Sequence, residues 1–112
     1  MSGIKYWLPK NRYYELKYFC FQYPHFKELI NKDNVSEAVK EGVSKAIFNI
    51  ENAIQDVNCD FPEFLLQVIT TGKAYSKFAS EKTEGDTKIP TSDEFFDAYR
   101  KYFYFLSKRK GI

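Results

Sequence analysis

The aromatic side chains of this chain are concentrated near its two ends. Sixteen of the 21 Phe, Tyr and Trp residues lie in two short stretches, residues 6–26 and residues 95–105. We expect a helix from each stretch to pack against the other and to close the core. The surplus rings, with the Lys and Arg residues between them, then predict a contact surface rather than a catalytic site.

The length of 112 residues predicts one domain, residues 1–112, with one hydrophobic core. No apolar run approaches the roughly 18–20 residues that a membrane helix needs, so we expect no membrane association. The first residues lack the apolar stretch of a secretory signal. Cys20 and Cys59 are too few for a disulfide framework, and we expect both to be reduced in a cytoplasmic protein.

The net charge of +2 is unevenly distributed along the chain. Residues 1–32 carry six Lys or Arg against two Glu, whereas residues 33–63 carry two against seven Asp or Glu. From residue 99 onward there are five basic residues and no acidic one. Basic ends could attract a polyanion, or they could complement the acidic middle within the fold; both interpretations stay open.

The spacing of apolar residues predicts helices throughout, and therefore an all-α bundle of about five helices. The N-terminal helices occupy residues 1–60, and the C-terminal part occupies residues 61–110. The predicted segments are Lys10–Gln22, His25–Asn31, Val35–Val57, Glu63–Thr71, a short Lys73–Glu81, and Ser92–Lys108.

Capping residues and prolines set the expected helix boundaries. Pro24 is expected to separate the first two helices, and Asn34 with Glu37 to open the third. Gly72 can supply a left-handed C-terminal cap. Thr91, followed three residues later by Glu94, predicts a capping box at the start of the last helix.

Two faces of these predicted helices differ in character. In the last helix the core face contains Phe95, Phe96, Tyr99, Tyr102, Phe103 and Leu106. On the long third helix, Phe48 alone among the apolar residues points away from the apolar stripe, toward an acidic face. Tyr104 falls on the face of the last helix opposite the core face, and Phe105 flanks it. Phe48, Tyr104 and Phe105 are therefore the predicted protein-interface residues, and a homodimer through Phe48 is a further expectation.

The sequence contains none of the familiar catalytic constellations. There is no phosphate-binding loop, no dinucleotide-binding glycine pattern and no nucleophile elbow. His25 is the single histidine, and it does not form a zinc site with cysteines at 20 and 59 without further ligands. We predict a protein that is not an enzyme and that uses no cofactor or metal.

Residues 61–110 follow the order of elements in a helix-turn-helix: a helix ending at Gly72, a short helix, a connector, and a capped helix rich in Lys and Arg. The last helix would contact the DNA. Predicted DNA-binding residues are Ser92, Asp93, Arg100, Lys101, Lys108, Arg109 and Lys110, with Lys73 and Lys77 on the supporting helix.

Two features argue against this interpretation. The connector 82–90 is nine residues long, against the usual three or four. The start of the last helix also carries Asp93, Glu94 and Asp97, which repel phosphate. A helical bundle in which residues 82–90 merely connect two helices is the alternative.

Three pieces of the sequence carry a resemblance to a known family. They are residues 12–20, 22–24 and 26–27 near the start, residues 69–73 with Tyr75, and residues 89–90, 95–96, 99–103 and 105–108 near the end. With these pieces at both ends and in the 69–75 turn, the chain resembles a family of small uncharacterised proteins in phages and prophages of low-GC Gram-positive bacteria. That family is similar in layout to the ArpU/RinA-type phage late-gene regulators, whose C-terminal part resembles sigma-factor region four.

The resemblance implies a helix-turn-helix in the second half and a DNA-binding regulator of phage transcription. The expected partner is then double-stranded DNA. The alternative function is a phage-encoded module that binds a host protein, such as a defence or transcription component, and inhibits or redirects it.

Overall fold

The structure, a computed structural model, describes residues 6–72, 74–77 and 89–111. Helices account for most of these residues and none of them forms a strand, so the all-α prediction is confirmed. The helices are α1 (Lys10–Phe21), α2 (Tyr23–Ile30), α3 (Glu37–Val57), α4 (Pro62–Thr71) and α5 (Ser92–Lys110).

The starts of α2 and α3 differ from the predicted ones. Pro24 lies in the first turn of α2, where its missing N–H leaves no helical hydrogen bond unmade, so the helix begins at Tyr23. The cap of α3 is Ser36 and not Asn34: the Ser36 hydroxyl accepts a hydrogen bond from the Val39 amide at 3.3 Å. Asn34 lies in the turn before it.

The boundaries of α4 and α5 lie within two residues of the predicted ones: α4 begins at Pro62 and α5 ends at Lys110. Gly72 adopts a left-handed conformation with φ 75° at the end of α4. Thr91 and Glu94 form the predicted capping box at the start of α5. Of the predicted Lys73–Glu81 helix, residues 75–77 form a helical turn; its other residues, except Ala74, and connector residues 82–88 lie outside the described part.

The core is built around α5, which packs most extensively against α3 and also contacts α1 and α4. The C-terminal end of α3 lies beside the start of α5, and residues Gly42 to Asn49 of α3 lie beside the C-terminal end of α5. The two helices are therefore antiparallel. The buried side chains come from four helices: Leu16, Cys20, Ile50, Ala53, Ile54, Phe64, Leu65, Val68, Ile69, Phe95, Ala98, Tyr102, Phe103 and Leu106, with Phe61 just before α4.

Two hydroxyl contacts tie the ends of the chain together. The buried Tyr102 hydroxyl donates a hydrogen bond to the Ile50 carbonyl at 3.0 Å. The Cys20 thiol lies 3.7 Å from the same hydroxyl. Because the hydroxyl proton is already used, the thiol is the donor in this second contact. Tyr13 and Tyr99 share a hydrogen bond of 2.7 Å between their hydroxyls. These contacts between α1 and α5 confirm the prediction that helices from the two ends of the chain pack against each other and close the core.

Within the described residues, no helix combines the length and apolar character needed to cross a membrane.

Candidate functional site

Three aromatic rings connect α4, the 75–77 turn and the start of α5. The ring centroids of Phe64 and Tyr75 lie 5.9 Å apart, those of Phe64 and Phe95 also 5.9 Å apart, and those of Tyr75 and Phe95 4.9 Å apart. The Tyr75 hydroxyl donates to the Pro90 carbonyl, just before α5. This three-ring junction fixes the start of α5 against α4.

The first half of α5 has an exposed side. Six of its first nine residues are exposed: Ser92, Asp93, Glu94, Phe96, Asp97 and Arg100. Three of the predicted DNA-binding residues, Ser92, Asp93 and Arg100, therefore lie on the first half of one helix. Lys77, in the preceding turn, is also exposed, whereas Lys73 lies outside the described residues.

The other predicted cations of α5 make contacts within the molecule. Lys101 forms an ion pair of 3.0 Å with Asp97. The Arg109 guanidinium binds both carboxylate oxygens of Asp56, with Nη2 to Oδ1 at 2.9 Å. The fixed fork of Arg suits this two-point contact, so Arg109 joins α5 to α3.

Lys108 and Lys110 lie over aromatic rings. The Lys108 ammonium is 5.2 Å from the ring centroid of Tyr104, and the Lys110 ammonium is 3.6 Å from that of Phe19. Sixteen residues separate Ser92 from Lys108, or about 24 Å along a helix. The predicted DNA-binding residues of α5 are therefore spread along the length of the helix.

The segment before α1 covers the middle of α5. The Tyr6 ring packs edge-on against Tyr104 at 5.2 Å and Phe105 at 6.0 Å. The Lys101 ammonium lies 5.5 Å from the Tyr6 ring centroid. Tyr104 and Phe105, predicted as interface residues, are consequently half-buried.

A solvent-open cavity of about 320 Å³ lies between this segment, α1 and α5. Aromatic residues supply most of its lining, and we refer to it as the aromatic groove. The lining residues are Tyr6, Trp7, Leu8, Tyr13, Phe96, Tyr99, Arg100 and Phe103.

Two walls of the aromatic groove are unusually accessible for large apolar side chains. Trp7 is 66% exposed and Phe96 is 48% exposed. The prediction that Phe96 lies on the core face was wrong. Neighbouring residues on a helix are about 100° apart, and Phe95 is the one of the two that points into the core. Trp7 precedes α1, so helical periodicity could not assign it.

Titratable groups in the core are held in their neutral forms. Burial raises the pKa of the Cys20 thiol from 9.0 to about 12. Burial likewise raises the pKa of Tyr102 well above its ordinary value, as it does that of Tyr99. A neutral, buried thiol is a poor nucleophile and a poor metal ligand, so Cys20 is a packing residue. Among the residues described, no three His, Cys, Asp or Glu side chains lie close enough together to hold a metal ion.

Phe48 is exposed on α3, as predicted, with 57% of its surface accessible. The Arg109 guanidinium approaches its ring to 6.0 Å from the centroid. The ring is the largest apolar side chain on that face of α3.

Replacing Phe48 with serine tests the predicted homodimer. The exposed position means that the change should alter the free energy of unfolding by only about 0.5 kcal/mol. If Phe48 anchors the contact, sedimentation velocity should show a dimer for the wild type and a monomer for Phe48→Ser. Two monomers of equal stability would remove Phe48 from any self-contact.

Comparison of the chain with protein-family models, curated proteins and solved structures finds no match in any of the three.

Proposed function

We propose that the protein is a DNA-binding transcription regulator that presents the start of α5 to double-stranded DNA. The observation that carries this proposal is the three-ring junction of Phe64, Tyr75 and Phe95. It joins the segments in helix-turn-helix order and leaves the outer side of the start of α5 free. In such motifs the first residues of the second helix contact base edges.

The exposed side chains at this end have suitable chemistry for the major groove. Arg100 can bind the two acceptors of guanine, and the Phe96 ring can contact the methyl group of thymine. Ser92 can donate or accept, and Asp93 can accept from the amino group of cytosine. Asp97, the third carboxylate near this end, is paired with Lys101, which reduces its repulsion of phosphate.

Phosphate contacts fall to exposed cations outside the ion pairs. Lys108 is the exposed predicted cation at the far end of α5, and its contact with Tyr104 leaves its charge in solvent. Arg109 is held by Asp56, so its contribution to phosphate binding is smaller than the sequence suggests. We further propose that the protein acts in the cytoplasm of an infected bacterium, as the resemblance of its sequence motifs to those of phage proteins implies.

The proposal predicts that Arg100 and Lys108 affect DNA binding differently. Arg100→Gln should weaken binding to a specific site by about 1–3 kcal/mol, because the guanine contact is lost. Lys108→Gln should weaken binding to all sequences and reduce the log–log salt slope by about 0.9. Fluorescence anisotropy with duplexes from the protein's own genomic neighbourhood, at several salt concentrations, measures both.

Lys32→Gln is the matched control, since Lys32 is an exposed lysine in the turn after α2. It should leave affinity and slope within error of wild type. Absence of DNA binding at low salt, or equal effects of Lys32→Gln and Lys108→Gln, would contradict the proposal.

A second candidate function is favoured by the aromatic groove. A module that binds a host protein, and inhibits or redirects it, needs an accessible apolar surface, which the groove with Trp7 and Phe96 supplies. The proposed DNA contacts use Phe96 and Arg100 from the lining of this groove, but not Trp7, Tyr13 or the other lining residues.

A further inference from the structure

We infer that the aromatic groove binds an amphipathic helix of another protein, one that carries apolar residues on one face and Asp or Glu beside them. The inference deepens the second candidate function. Because Phe96 and Arg100 also belong to the proposed DNA-binding surface, Lys17 and Lys108 are the residues that distinguish the two partners.

The shape of the surface favours an elongated occupant. A second cavity of about 260 Å³ shares Phe96 and Tyr99 with the aromatic groove. It continues past Lys17 and Phe21 to Gly72 at the end of α4. The apolar surface therefore runs from Trp7 to Gly72, on both sides of the Phe96 and Tyr99 rings.

The glycine at the far end matters for the depth of this surface. A Cβ atom at Gly72 would lie 3.4 Å from the Phe21 ring, and the φ of 75° disfavours any side chain there. The missing side chain at Gly72 therefore leaves room for the Phe21 ring to pack against the end of α4, where both residues line the second cavity. A series of large side chains along one face of a helix fits such a surface.

The charges around the groove select the occupant. Arg100 forms part of its wall. Lys10 and Lys17 both lie near Tyr14, with their ammonium groups 5.9 and 5.8 Å from its ring centroid. The Tyr14 ring packs 5.3 Å from that of the groove residue Tyr13, and Lys17 also lines the second cavity, so both lysines lie close to the apolar surface.

Two of the nearby carboxylates are paired, whereas Asp93, exposed one helical turn before Phe96, adds one negative charge. Glu15 is paired with Arg12 at 3.0 Å, and Asp97 is paired with Lys101 at 3.0 Å. The border formed by Lys10, Lys17 and Arg100 thus has positive charge in excess, and electrostatic complementarity calls for an acidic partner.

Trp7 makes the test direct, because it is the single tryptophan of the chain and forms a wall of the groove. The probes are two synthetic helical peptides without tryptophan. Both carry Leu and Phe at every third or fourth position, and one has Glu where the other has Lys. The acidic peptide should shift the Trp7 emission to shorter wavelength and bind at least about tenfold more tightly than the basic one, a difference of about 1.4 kcal/mol.

Variants separate this inference from DNA binding. Lys17→Gln should reduce the preference for the acidic peptide several-fold and leave DNA affinity unchanged, whereas Lys108→Gln should do the reverse. Phe96→Ser should weaken both peptides equally. Lys32→Gln is the control that should change nothing, and circular dichroism confirms that each variant is folded.

Three outcomes would overturn the inference. The first is no change in Trp7 emission and no binding at up to millimolar acidic peptide. The second is equal affinity for both peptides, which means that the border charges do not select the partner. The third is a blue shift of Trp7 with increasing protein concentration alone, which assigns the groove to a second copy of the chain.

Discussion

Replacing Phe103 with alanine is expected to lower the free energy of unfolding by about 3–5 kcal/mol. Phe103 is 2% exposed and belongs to the core cluster with Leu16, Cys20 and Ile50. Its ring lies 5.2 Å from that of Tyr13 and 5.0 Å from that of Tyr99, so the change removes contacts between α1 and α5. Since domains of this size have about 5–15 kcal/mol of stability, the loss is a large fraction of the total.

Phe96→Ala is the matched control, since it makes the same change on the same helix. Phe96 is exposed, and its removal should cost about 1 kcal/mol or less. Urea unfolding followed by circular dichroism measures both. Equal effects of the two substitutions would mean that the first and last helices do not close the core.

Alkaline pH is expected to destabilise the protein through groups that stay protonated in the core. The pKa of Cys20 rises from 9.0 to about 12 on burial, and those of Tyr99 and Tyr102 rise as well. Below pH 9.0 the thiol is protonated in both states, and its contribution to stability is fully present. As the pH rises from 9.0 toward 12 the unfolded chain ionises first, so stability falls.

The contribution of the Cys20 thiol to this loss of stability can be calculated from its pKa. At pH 11 the unfolded thiol is two pH units above its pKa, which corresponds to a loss of about 2–3 kcal/mol. Urea unfolding at pH 8 and pH 11, with reductant present, measures the difference.

Cysteine variants identify the group responsible. In Cys20→Ala the free energy of unfolding should fall by about 2–3 kcal/mol less between pH 8 and pH 11 than it does in the wild type. Any change that the substitution causes at pH 8 itself does not matter, because only the pH-dependent part reports on the thiol. Cys59→Ala, at a partly exposed position, should keep the wild-type decline. If the stability of Cys20→Ala declined with pH as steeply as that of the wild type, the Cys20 thiol would not be the group that resists ionisation.

The local features of the fold were predictable where one residue decides the geometry. Gly72 and the Thr91–Glu94 capping box mark helix boundaries because a left-handed residue and a reciprocal pair of hydrogen bonds leave few alternatives. The start of α3 was missed because Asn34 and Ser36 are both good caps. The choice between them depends on where the preceding turn ends.

The candidate site was less predictable, because tertiary contacts rearrange it. Charge and spacing identified Arg100 and Lys108, but not the pairing of Arg109 with Asp56, which lies 53 residues away in the chain. Periodicity placed Tyr104 on the outer side of α5. The residue that covers it, Tyr6, lies in a segment with no helical pattern.

The contact between α1 and α5 has a consequence for synthesis of the chain. Tyr13 and Tyr99 are 86 residues apart in sequence, and Cys20 and Tyr102 are 82 apart. A growing polypeptide that has emerged only as far as α4 can form helices, but it has no α5 to cover Leu16, Cys20 and Ile50. Such long-range contacts slow folding and leave apolar surface open while α5 is still being made. We expect the nascent chain to be most vulnerable to aggregation and proteolysis in that interval, and a chaperone to be most useful then.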